Sequence, residues 1–404
     1  MLGKRGIRGV WLASGVLAGG LVLSGCTETP TTDPNKGAST TATVTQLSDD
    51  ALRDRLDRVL TATRSRHLNT KDHAGWQVLH AALAFGRQAK IVHNGDTVPA
   101  MQYLLDGGEL VGWNLRPGEK GVMALVESGT KTGQGHKDQW LGYLALGDLE
   151  IDEKIIVGGQ TYTIRDLVEQ AKWECVEGME ATWTLMAFQK FVPMDAEWVA
   201  RTGEKWTIER LMAMEAGLNM DSAARLNSSA CGGTHRLTGL ALALRKYKQS
   251  LPAEKRNEPL TGGWALADER IQWAVTKARE YQQQDGTFST LYFERSASSP
   301  DVAKQIGTTG HTLEFLSLVL SDEELKAPWV VRAMESLVSL LEVTQDIEVE
   351  CGALYHAAHG LVVYRERLFG QPAISPPATP TAARSDAPPP LVSAKTDENK
   401  GAGQ

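Results

Sequence analysis

Long hydrophobic runs, closely spaced cysteines and a surplus of basic residues are all missing from this 404-residue chain, and the three cysteines after Cys26 allow either one disulfide with a leftover thiol or three buried thiols. Lys and Arg number 42 against 49 Asp and Glu, a net charge of −7, and no basic stripe marks a phosphate-binding surface. Nucleic acid is therefore not an expected partner. The apolar run at residues 10–23 falls short of the ~20 residues that a membrane span needs. Only four cysteines occur, with no CxxC spacing, which excludes a disulfide-knotted secreted scaffold. Aromatic residues are 6% of the chain, yet 42% hydrophobic and 23% charged residues make an ordinary globular composition. Gly-x-Ser-x-Gly, His-Glu-x-x-His, the P-loop and the dinucleotide glycine motif do not occur, which removes the commonest hydrolase and nucleotide readings.

What is present begins with an address. Lys4, Arg5 and Arg8 precede the short apolar run, and Leu23-Ser24-Gly25-Cys26 closes it. A charged start, an apolar centre and a small-residue end are the parts of a secretory signal. The last four residues resemble the bacterial lipobox, which implies lipidation of Cys26 and a lipid-anchored protein on the exported side of the cell membrane or outer membrane. The expected organisation is a signal peptide at 1–25, a Thr-rich tether at 26–46, one folded domain at 47–370 and a Pro-rich disordered tail at 371–404. That tail holds seven of the 16 prolines, and neither flank has the apolar periodicity that would offset ordering entropy.

Within residues 47–370 the helical period dominates. Apolar helices are expected to run to Phe85, Leu146, Phe191, Tyr247, Leu320 and Tyr364, each after a small or Gly-rich entry, often with a His. After His235, residues Leu237, Leu240, Ala241 and Leu244 fall on one helix face. More charged helices are expected at 50–66, 163–173, 268–284 and 322–341. Residues 154–162 read as a hairpin with a Gly-Gly turn, Thr163 as the cap of the next helix, and 91–134 as a long loop. The fold class expected is all-α: an α/α toroid of helical hairpins with a minor β-hairpin.

Gln282-Gln283-Gln284-Asp285-Gly286-Thr287-Phe288 resembles the Gln-x-x-x-Gly-x-aromatic half of the repeat in squalene–hopene cyclase-like proteins. Gly310-His311-Thr312 entering an apolar helix, and Tyr355-His356-Ala357-Ala358-His359-Gly360-Leu361, also resemble that superfamily and its prenyltransferase β-subunits. The resemblance covers mainly residues 170–370 and implies the toroid. Its chemistry does not follow, because the Asp-x-Asp-Asp and Asp-Asp-x-x-Asp clusters of the cyclases and synthases are absent.

The candidate chemistry sits at the helix entries. His235, His311, His356, His359 and Tyr355 are the acid–base candidates, with Asp138, Glu180, Glu314 and Glu350 as nearby carboxylates. Cys231, Cys351, His356 and His359 are the metal candidates, since zinc accepts sulfur and nitrogen ligands. Without a diagnostic ligand pair no cofactor is assigned, and zinc is the alternative. Trp76, Trp140, Trp183 and Trp264 are candidates to line a cavity. Ser128-Gly129-Thr130-Lys131 matches Ser-x-x-Lys and overlaps Lys131-Thr132-Gly133, but penicillin-recognising enzymes place these motifs on separate elements, so the stretch reads as a loop coincidence. The first functional reading is non-catalytic capture of a ligand or protein partner. A polysaccharide-active or metal-dependent enzyme with its site at the toroid mouth is the alternative.

Overall fold

The computed structural model describes residues 48–217 and 229–370. The signal peptide, Cys26, the tether and the Pro-rich tail expected above lie outside the described residues. Helices and strands follow in the order α1 (Asp49–Arg64), β1 (Leu68–Asn69), α2 (Gly75–Phe85), β2 (Lys90–His93), β3 (Asp96–Pro99), α3 (Ala100–Leu105), β4 (Leu115–Pro117), β5 (Val122–Ala124) and α4 (Gln139–Leu146). Next come β6 (Lys154–Val157), β7 (Gln160–Thr163), α5 (Ile164–Trp173), α6 (Thr182–Phe191), β8 (Glu197–Val199), β9 (Lys205–Thr207) and α7 (Ile208–Gly217). The described chain ends with α8 (Thr234–Ser250), α9 (Gly262–Glu280), α10 (Val302–Val319), α11 (Asp322–Leu325), α12 (Pro328–Val343) and α13 (Cys351–Phe369). The molecule is mostly helical.

The helices α2, α4, α6, α8, α10 and α13 each pack on the next, and α13 packs back on α2, so their contacts close on themselves. Their faces are buried nearly all round because every side meets protein: in α10 an unbroken run from Thr308 to Leu318 is buried. Amphipathic helices flank this inner set. α1 lies against α12 and α13, α5 against α6, α7 against α8 and α9, and α12 against α10. Arg365 of α13 grips Asp57 of α1 with two hydrogen bonds of 2.8 and 3.0 Å.

Three times the chain runs from an inner helix through a β-hairpin into an outer helix: α2 to α3, α4 to α5, and α6 to α7. The hairpin at Lys154–Val157 and Gln160–Thr163 turns through Gly158 and Gly159, both with positive φ, and Thr163 caps α5 in a capping box with Asp166. The stretch 91–134 is not a plain loop: it holds β2, β3, α3, β4 and β5. The helix expected over 322–341 is broken after Leu325, since Pro328 has no amide proton and opens a new helix at its first position. The Gln282–Phe288 motif is a joint. Gln282 Nε2 donates to the carbonyls of Gly286 at 2.9 Å and Trp329 at 2.7 Å, while Gly286 takes the φ of +90° that its turn requires.

Candidate functional site

A cavity of about 750 Å³ opens among the inner helices, lined at its centre by His80, Tyr143, His235, His311 and His356. Helical spacing puts His80 one turn after Trp76, where its ring packs 3.9 Å from the indole. His80 Nδ1 donates to the Trp76 carbonyl at 2.6 Å, and His311 Nδ1 donates to the Gly307 carbonyl at 2.6 Å. His356 Nδ1 donates to Glu314 at 2.8 Å. Because carbonyl and carboxylate oxygens only accept, all three imidazoles carry the proton on Nδ1 when neutral, and all three turn an Nε2 lone pair to other partners. Tyr143 Oη stands 3.3 Å from His80 Nε2 and 3.4 Å from His356 Nε2, and its single proton serves one of them at a time. His311 Nε2 is buried without a hydrogen-bond partner.

The rings form one cluster. Centroids lie 4.1 Å apart for His311 and His356, 4.6 Å for His235 and His356, and 5.1 Å for His235 and His311. Burial, reinforced by His356, holds His80 and His235 well below the usual imidazole value. Burial likewise depresses His356 to about 4 although Glu314 opposes it. Glu314 is 4% exposed and yet stays well below the carboxylate range, because His356 and His359 both donate to it and outweigh its burial. For His311 burial works downward, but the neighbouring Cys231 and Glu314 favour the cation and push it up to about 9.

Cys231 arrives on a left-handed turn. Cys231, Gly232 and Gly233 have φ of +50°, +64° and +82°, after which α8 begins with Thr234 and His235. Only glycine fits at 232, where a Cβ would stand 2.2 Å from the Tyr292 ring. The left-handed cysteine costs about 1–2 kcal/mol, which the surrounding packing imposes. As a result one ligand atom each from Cys231, His235 and His311 lies within 4.8 Å of the others, a Cys/His/His group able to hold a metal ion.

Of the sequence candidates, His235, His311 and His356 meet in this cavity. His311 does so from the middle of α10, because Asp301 caps that helix more than two turns earlier and Gly307 and Gly310 do not interrupt it. His359 faces the other way and lines a pocket with Gly86, Gly147 and Glu366, tied to the centre through Glu314 at 2.5 Å. Tyr355 and Cys351 line a neighbouring chamber, where Tyr355 Oη reaches the Arg66 carbonyl at 3.3 Å. Burial, then Glu350 and Glu348, push the Cys351 thiol up to about 11. Cys351 and His359 therefore do not join Cys231. All three described cysteines are free thiols. Trp76 and Trp183 line the cavity, while Trp140 is core beside Trp113 and Trp264 stacks on Tyr247 at 4.1 Å. His80 and Tyr143 were not singled out from the sequence. His80 was legible as the only His one turn past a helix-entry Trp, whereas Tyr143 carried no signal distinguishing it from core.

No family model, curated protein or solved structure matches the chain. The likeness of Gln282–Phe288 to the cyclase repeat thus stands on those residues alone. Among the described residues no helix is long and apolar enough to cross a membrane.

Proposed function

We propose that the chain is a lipid-anchored cell-envelope protein whose helices form an α/α toroid with a metal-dependent hydrolytic centre at its mouth, Cys231, His235 and His311 holding zinc(II). The observation that carries this is the meeting of one sulfur and two imidazoles within 4.8 Å beside an open cavity. His311 supports it further: its Nδ1 donates to a backbone carbonyl, the usual outer partner of a metal-ligating histidine, which leaves Nε2 on the side of Cys231. Sulfur and imidazole nitrogen are the ligand types zinc prefers, so Cys231, His235 and His311 would hold it. Three protein ligands leave a fourth position for substrate, the pattern of catalytic rather than structural zinc. Bound there, the ion would supply Lewis-acid chemistry toward a carbonyl or phosphoryl oxygen. Tyr143, His80 and His356 then supply the hydrogen-bonding floor on which a polar substrate group is oriented.

Metal analysis of the purified full-length protein is the test. About one zinc per chain is expected, with loss in both Cys231→Ser and His311→Ala. Metal-free protein, or zinc retained in both variants, sinks the centre and returns the cavity to the capture of a ligand or partner. The anchor is tested separately by fractionation: Cys26→Ser is expected to move the protein from the membrane to the soluble fraction, and membrane retention of that variant refutes lipidation. An envelope polysaccharide or protein is the partner class such a location offers.

A further inference from the structure

The rim of the central cavity repeats one arrangement twice. On one side the Glu350 carboxylate and the Trp76 indole flank the Lys131 ammonium, with Nζ 3.0 Å from Glu350 Oε1 and 5.6 Å from the ring centroid. On the other, Glu180 accepts from His136 Nδ1 at 2.8 Å, and the His136 ring stacks on Trp183 with centroids 4.3 Å apart and planes 25° from parallel. All six side chains line the same cavity. Each seat thus joins an anion to an indole face, and each is filled by a basic side chain of the protein itself.

We propose that the mouth binds a ligand with two ammonium groups on one chain, which displaces Lys131 and His136 from the carboxylate–indole seats they fill. An ammonium satisfies both halves of such a seat, pairing with the carboxylate and lying over the ring. Lys131 shows the fit directly. It is also easily displaced: its side chain is 67% exposed, and an exposed ion pair is weak because solvent screens it. The Glu350 seat is held ready, since its Oε2 caps α13 by accepting from the Ala353 amide at 2.9 Å and leaves Oε1 for the cation. The Trp76 ring is held in turn by Gly352, where a Cβ would stand 2.8 Å from its edge. Lys131 belongs to the Ser-x-x-Lys stretch, and Ser128, Gly129 and Thr130 line the same rim. The stretch is a loop, as expected, but it faces the site.

The inference rests on the preceding reading of the cavity as a substrate site, though not on the metal. A linear polyamine and a short chain of glucosamine units both present ammonium groups in series, and the experiment separates them. Calorimetric titration of the full-length, chelator-stripped protein would use spermidine, the glucosamine trimer and butylamine. Spermidine or the trimer is expected to bind at least about tenfold tighter than butylamine, and whichever binds names the source. Glu180→Gln and Glu350→Gln should each weaken that binding about tenfold or more. Glu180 caps no helix, so its variant stands even where the Glu350 variant is unstable. Lys131→Met should tighten binding at least threefold, by emptying a seat. Lys304→Met removes a cation from the same rim outside either seat and should tighten it less. The proposal is overturned if neither polyamine nor trimer binds at millimolar concentration. It is overturned equally if both Glu variants bind like the native protein, or if Lys304→Met matches Lys131→Met. Amine binding by zinc-free protein that never acquires the metal would refute the metal centre and leave this inference standing.

Discussion

His80 shows at the scale of one residue what the buried cluster does to the molecule. Its ring is 2% exposed, its Nδ1 proton is committed to the Trp76 carbonyl, and burial keeps it neutral well below the ordinary imidazole range. In the unfolded chain it takes up a proton below about pH 6.5. The folded state binds fewer protons there, so its contribution to stability is intact above that pH and is lost as the pH falls. One such group gives a slope of up to about 1.4 kcal/mol per pH unit. Asn at this position keeps an N–H for the Trp76 carbonyl and does not titrate. Urea unfolding of His80→Asn at pH 7 and pH 5 is therefore expected to show a smaller drop between the two than the native protein, by at most about 2 kcal/mol, even though the variant is weaker at both. An unchanged drop would mean that His80 protonates within the fold.

Among elements, apolar continuity was the readable signal. The inner helices ending near Phe85, Leu146 and Phe191 emerge where the pattern puts them, because a helix covered all round has no polar face to obscure it. The Gly158-Gly159 turn and the Thr163 cap were equally legible, each a local rule obeyed locally. The first and third hairpins were not read, although Asn94-Gly95, with φ of +52° and +92°, is a hairpin turn signal in its own right. Their strands are only three or four residues long and bury only Ile91 and Trp206 fully, so periodicity had little to mark. The three histidines could be named but not gathered, and Cys231 could not be joined to His311, since that depends on a left-handed turn and on the packing of α8 against α10. Pairing Cys351 with Cys231 failed for the same reason. Both stand at helix starts, yet one opens into the central cavity and the other into the next chamber.

For the whole molecule the consequential fact is that the inner helices close a cycle, which makes each seam the concern of all the others. The α10–α13 seam is the most extensive, and it is tight. A Cβ on Gly310 would stand 2.7 Å from both Cα and Cβ of Ala357, and one on Gly360 would stand 2.8 Å from the Glu314 backbone nitrogen. His311 and Glu314 face His356 and His359 across this same seam, so the small residues set the spacing of the cluster. Gly310→Ala sets two effects against each other: about 1 kcal/mol of helix propensity in its favour, and an overpacking cost of about 1–3 kcal/mol against it. The obstacle is partly backbone and cannot rotate away, so the cost is expected to win and the variant to lose stability. Gly307 lies almost one turn earlier on α10, but its added Cβ would meet Ala353 Cβ at 3.4 Å, an ordinary contact. Gly307→Ala is therefore expected to be neutral or stabilising, which makes it the internal control. If the cycle behaves as one cooperative unit, urea unfolding of Gly310→Ala followed by tryptophan fluorescence and by far-ultraviolet circular dichroism should shift to the same lower midpoint. Two separated midpoints would show that the α10–α13 seam opens on its own, and that the closed set of contacts does not bind the helices into a single folding unit.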